Sequence, residues 1–270
     1  MSYYVTSGYG IMIGLIVFIA LREPPRGQFD KNKLLDIKKE ESEVSKEAQK
    51  ESFFAKLGKS FVGIVKQPCA RWILCAGFFR FFGGYAFIYY NPSFFTLNFP
   101  DYSEQFAATN AILTASLSFI SGMAGGYIGD NVRKNDPMTK AYLCSFASLL
   151  SAPFLFVAYF ISKNFWVSMA MVGVNYLIGE GWSSSCFAML LDVTDPKTQG
   201  LTVNVYFLFC MTAAMISTAL LDVLGQAFDT ENDPAMAGYI LGIAMMASLI
   251  GSGIAFLISG FHYRKFMCGE

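Results

Sequence analysis

Seven stretches of about 20 residues with little or no charge recur along this 270-residue chain, at 1–21, 72–90, 106–128, 141–161, 165–191, 201–221 and 239–261. Each is close to the ~20 residues that an α-helix needs to cross the hydrocarbon of a bilayer. Composition agrees, because 54% hydrophobic residues, 27 Phe and a mean hydropathy of +0.43 exceed what a soluble core needs. An all-α polytopic membrane protein with seven spans is therefore predicted.

The distribution of Lys and Arg sets the expected orientation, since cytoplasmic loops retain cations during insertion. Eighteen of the 20 fall on one side: eleven in 22–68, then Arg71, Arg133, Lys134, Lys140, Lys197, Arg264 and Lys265. The opposite loops hold only Lys163 against Asp101, Glu104, Asp222, Asp229, Glu231 and Asp233. The first span then runs from outside to inside, and six more return the C-terminus to the cytoplasm. Arg22 and Arg26 follow the first apolar run rather than precede it, which speaks against a secretory signal. A start on the outer side suggests that further spans precede this chain. The sequence does not separate a plasma-membrane from an endolysosomal location.

Residues 22–68 read as a charged cytoplasmic linker, alternating Lys and Glu with almost nothing to bury. Its end differs, because Phe53, Leu57, Phe61 and Ile64 recur at helical spacing among Lys56, Lys59 and Lys66. That pattern predicts an amphipathic helix over about 53–66, suited to the inner leaflet or to a protein partner. Residues 69–262 are the expected six-span bundle, and 263–270 a cytoplasmic tail.

Signals for chemistry are sparse. The six cysteines lie in spans or near the basic side, at spacings that match no metal-ligand pattern, so they read as small hydrophobes. His262 sits at the end of the last span, and Gly181-Trp182-Ser183-Ser184-Ser185 lacks the second glycine of a nucleophile elbow. No catalytic residue, metal or cofactor is expected, and no nucleic-acid partner. The expected partners are the bilayer and a small-molecule substrate.

Arg80 and Glu180 stand out, each about halfway along an apolar span. An ionisable group at that depth costs about 2.5–3.5 kcal/mol on insertion scales, so it has a partner or a task. A midplane Arg suits an anionic group, and Glu180 is the candidate proton carrier. The alternative is that the two pair and hold the bundle together. Phe78-Phe79-Arg80-Phe81-Phe82-Gly83-Gly84 sets the cation among rings beside a glycine pair that can bend a helix, and Gly179-Glu180-Gly181-Trp182 repeats the theme. Tyr85, Tyr89, Asn175, Tyr176, Trp182 and Asn204 are candidates to line the same cavity, and Asn91-Pro92 is expected to mark the outer end of its helix.

In the third span Gly122, Gly125, Gly126 and Gly129 present a small face that lets another backbone approach. That span closes on Gly126-Tyr127-Ile128-Gly129-Asp130, followed by Arg133 and Lys134, an acid beside a basic loop that could serve as a gate. Glycine, three residues, Asp and then basic residues resembles the cytoplasmic loop motif of the major facilitator superfamily. Two further stretches resemble its spinster-like members: Leu21-Arg22-Glu23-Pro24-Pro25-Arg26-Gly27, like the end of their sixth helix, and Asp192-Val193-Thr194-Asp195-Pro196-Lys197-Thr198-Gln199-Gly200, like the loop between their tenth and eleventh. Asn131 and Arg133 depart from the first motif, and Lys197 and Gln199 from the last.

The resemblance implies the carboxy-terminal six-helix bundle of a major facilitator fold plus one preceding helix, with the amino-terminal half as its missing partner. It further implies alternating access around a midplane site, with Arg80 and Glu180 at equivalent positions of two three-helix repeats. The expected function is secondary active transport of a small organic solute or lipid-like organic anion. The alternatives are a non-transporting membrane subunit that binds a partner through the charged loop, or an incomplete half-transporter.

Overall fold

The computed structural model describes residues 2–20, 53–132, 136–161, 163–194, 198–230 and 233–269. Among them every regular element is helical, and the protein is an all-α polytopic membrane protein. The chain divides into two units, residues 1–56 and 57–270. The first contains α1 (Ser2–Ala20), a 19-residue helix without a charged residue. Most of the charged linker, 21–52, lies outside the described residues.

α2 (Phe53–Lys66) occupies the range that its apolar spacing predicts. Ile64 is turned into the bundle, where it is buried with Cys69, Ala70 and Ile73, and the Phe61 ring lies 6.4 Å from that of Phe209. The end of this helix is thus packed on protein, while Val62 and Val65 stay exposed.

The second unit continues with α3 (Pro68–Asn98), α4 (Ser103–Asn131), α5 (Met138–Phe156), α6 (Phe165–Gly179), α7 (Trp182–Asp192), α8 (Gln199–Ala227) and α9 (Pro234–Cys268). A 3₁₀ turn, Pro100–Tyr102, leads into α4, and a π-helical turn, Val157–Ile161, extends α5. Five of the predicted spans are continuous helices long and apolar enough to cross a membrane. The span predicted at 165–191 is split into α6 and α7.

Helix ends follow local chemistry. Asn164 caps α6 by accepting from the Trp166 and Val167 amides at 2.9 and 3.4 Å, and Asp233 caps α9 with Pro234 at its first position. Gly269, at φ 71°, closes α9 in the left-handed conformation that favours glycine.

Two boundaries differ from expectation. α3 does not end at Asn91-Pro92 but runs on to Asn98. Pro92 removes only its own bond to the Ile88 carbonyl, Asn91 is buried and bonded to Tyr159, and the Thr96 hydroxyl returns to the Pro92 and Ser93 carbonyls. Residues 263–268, expected in a tail, continue α9, because Tyr263 is buried in the core.

The alternating course of the helices leaves the bundle with two chemically distinct ends. Lys66, Arg71, Lys140, Arg264 and Lys265 lie at one, here the basic end; Asp101, Glu104, Asp222, Asp229 and Asp233 lie at the other, the acidic end. Two apolar clusters fill the bundle. One holds Ile73, Met189, Tyr206 and Phe256, and the other Phe95, Leu155, Phe165 and Leu241. Hydroxyls join the helices across these cores: Ser145 donates to the Gly253 carbonyl at 2.8 Å, Ser217 to that of Phe82 at 2.7 Å, and Ser248 to that of Phe79.

Candidate functional site

The break between α6 and α7 builds the site. Glu180 (φ −90°, ψ −11°) and Gly181 (φ −69°, ψ −5°) leave the helical ladder, and α7 begins at Trp182. The small face of α4 lies against this junction. A Cβ on Gly125 would overlap the Gly181 carbonyl, one on Gly129 would come within 2.6 Å of the Ser185 hydroxyl, and one on Gly181 within 3.4 Å of the Gly125 Cα. The predicted close approach is therefore made, at Gly125 and Gly129, whereas Gly122 faces open space.

Ending α6 at Gly179 strands its last carbonyls, which have no amide one turn ahead. Arg80 answers this. Its Nη2 donates to the Gly179 carbonyl at 2.5 Å, a cation capping the negative end of a helix, and its guanidinium lies 5.1 Å from the Trp182 ring centroid. Glu180 Oε1 is 3.9 Å from Arg80 Nη2, too far for a hydrogen bond. The Arg80 side chain is 8% exposed and that of Glu180 43%. The pair is loose: Arg80 is committed to backbone, and the carboxylate stays open. Beneath the junction, the buried Cys144 thiol donates to the Trp182 carbonyl at 3.3 Å.

Arg80 and Glu180 open into a cavity of about 600 Å³. α3 lines it from Arg80 to Pro92, α4 with Asn110, Thr114 and Ser118, α6 and α7 with Asn175, Tyr176 and Trp182, and α9 with Met245, Ser248 and Leu249. Arg80 lies twelve residues into α3, or about 18 Å at 1.5 Å per residue, roughly mid-depth in a bilayer.

Of the residues singled out in the sequence, Arg80, Glu180, Tyr85, Asn175, Tyr176 and Trp182 meet in this cavity. Tyr89 and Asn204 do not line it. Tyr89 is exposed and reaches the site only through its stack on Tyr85, at 6.4 Å between centroids. Asn204 is exposed on the second turn of α8, a helix that contributes no residue to the lining. The cavity is also lined by Asn91, expected only at a helix end, and by Asn110, Thr114 and Ser118, which no sequence motif marks. The last three follow at intervals of four on one face of α4, a polar stripe within an apolar span.

At the basic end Asp130 is exposed on the last turn of α4, and Arg133 and Lys134 lie outside the described residues. A different cluster joins the helices there. Asp192 Oδ2, at the end of α7, accepts from Lys140 Nζ of α5 at 2.8 Å and from the Tyr263 hydroxyl of α9 at 2.6 Å, and Lys140 lies 5.9 Å from the Tyr263 ring centroid. The sequence marked this loop through Asp192 but gave no sign of its partners.

Comparison with protein families, with curated proteins and with solved structures yields no match.

Proposed function

We propose that the second unit is the carboxy-terminal bundle of a secondary active transporter of the major facilitator, spinster-like type, which moves a small organic solute or lipid-like organic anion by alternating access. One observation carries this reading: a mid-depth cavity in which Arg80 caps a broken helix beside an open carboxylate. Helices interrupted at the midplane are where such proteins bind substrate, and a buried cation there suits an anionic group. Arg80 holds that group and Glu180 carries the coupled proton. The Lys140, Asp192 and Tyr263 cluster closes the basic end, which on the distribution of cations is cytoplasmic. On the same reading the partners are the bilayer and an amino-terminal half, and the protein is no enzyme.

The test is uptake by the intact transporter with Arg80→Ala and Glu180→Gln. Arg80→Ala is expected to lower uptake about tenfold or more, the magnitude of one lost hydrogen bond to a charged group. Glu180→Gln is expected to abolish its dependence on pH. Unchanged uptake with unchanged pH dependence in both variants would overturn the proposal.

A further inference from the structure

The cavity has a second polar wall, well removed from Arg80. Asn91 lies eleven residues beyond Arg80 on α3, or about 16 Å along the helix axis. It stands seven residues before the end of α3, and Asn110 stands seven residues after the start of α4, so both occupy the same depth from the acidic end. Asn91 is 1% exposed, and its Oδ1 accepts from the Tyr159 hydroxyl at 2.8 Å, a residue presented by the π-helical turn that extends α5. Asn110 Oδ1 accepts from the Tyr176 hydroxyl at 3.0 Å.

Both amide oxygens are thus engaged by tyrosines, while neither amide nitrogen has an acceptor among the described residues. Two amides with N–H donors to spare therefore line one cavity, Asn91 buried and Asn110 half-buried. One turn along α4, Thr114 lines the same cavity, with its hydroxyl close to that of Tyr176. Between this wall and Arg80 the lining is mostly apolar and aromatic, with Phe81, Phe87, Met245 and Leu249, and includes Ser118, Asn175 and Ser248.

We propose that Asn91 and Asn110 form a second, hydrogen-bond-donating subsite, which takes an acceptor oxygen at the far end of an organic anion whose charged group sits at Arg80. The ligand class is an apolar-chained anion oxygenated opposite its charge. This rests on the reading of Arg80 as the anion site, and it adds selectivity: an acceptor oxygen satisfies donors that a plain chain leaves bare. Tyr159 and Tyr176 are positioning residues, since each holds an amide oxygen and so turns the nitrogen to the cavity.

The experiment compares two probes of equal length on the intact protein in lipid nanodiscs by equilibrium binding. They are 12-methoxydodecanoate, whose ether oxygen only accepts hydrogen bonds, and tetradecanoate, which lacks it. The wild type is expected to bind the methoxy acid about tenfold more tightly, the size of one hydrogen bond. Asn91→Asp retains an oxygen for Tyr159 but loses the amide N–H donors, so it should erase this preference, the two probes then binding within about twofold of each other. Asn110→Asp, at a less buried position, should do the same and covers the case in which Asn91→Asp does not fold. Arg80→Ala should weaken both probes alike. Equal affinity of the wild type for the two probes, with both weakened by Arg80→Ala, would overturn the subsite and leave the anion site standing. Failure of the wild type to bind either probe, or binding unaffected by Arg80→Ala, would overturn both.

Discussion

α3 and the pair α6–α7 face the same cavity, and each carries two glycines beside a mid-depth charge. α3 holds Gly83-Gly84 and, further on, Pro92, and still runs unbroken from Pro68 to Asn98. The other segment stops at Gly179 and resumes at Trp182. Glycine alone therefore does not decide where a helix breaks. In α3 the carbonyls of Phe79 and Phe82 receive added bonds from Ser248 and Ser217, which tie the glycine turn to α9 and α8. At Gly181 the neighbour is backbone: α4 comes so close at Gly125 that no side chain fits, and Arg80 takes the carbonyl left free. A glycine breaks its helix here where a second backbone occupies the space and a cation satisfies the stranded carbonyl.

Four substitutions break or sharpen this contrast, each read by equilibrium unfolding of the intact protein in detergent. The largest effect is expected from Gly125→Leu, which drives a side chain into the Gly181 backbone and should destabilise by about 3 kcal/mol or more, since neither helix can give way. Arg80→Ala comes next, at about 2 kcal/mol, because it leaves the Gly179 carbonyl at the helix break without its donor. Lys140→Met removes one partner of Asp192 and should lower stability by only about 0.5–1 kcal/mol, as both side chains are partly exposed. The smallest effect has the opposite sign. Gly84→Ala adds a methyl to open space in a continuous helix and should stabilise by about 0.5 kcal/mol. A stabilising Gly125→Leu, or a loss with Gly84→Ala as large as with Arg80→Ala, would erase the distinction drawn between the two segments.

The fold class was legible in the sequence because a bilayer imposes one length on every span, and apolar runs of that length are visible without knowing how they pack. The break was half legible. Gly179 and Gly181 flank Glu180 in plain view, but the cause lies 56 residues earlier at Gly125. Arg80, Glu180 and Trp182 were found because charge in an apolar span is itself anomalous. Tyr89 and Asn204 were misplaced for a related reason, since residue type does not show how a helix is rotated about its own axis. Asn91 was read as a helix end because it precedes proline, and only the packed structure reveals that Tyr159 holds it inside. The union of Lys140, Asp192 and Tyr263 spans three helices, and no local pattern encodes it.

The most direct test of the central claim is an experimental structure of the intact protein in lipid nanodiscs with 12-methoxydodecanoate bound. The carboxylate is expected at the Arg80 guanidinium beside the Glu180-Gly181 break, with the chain running toward Asn91. A continuous helix through Gly179 to Trp182, or the probe bound away from Arg80, would contradict it.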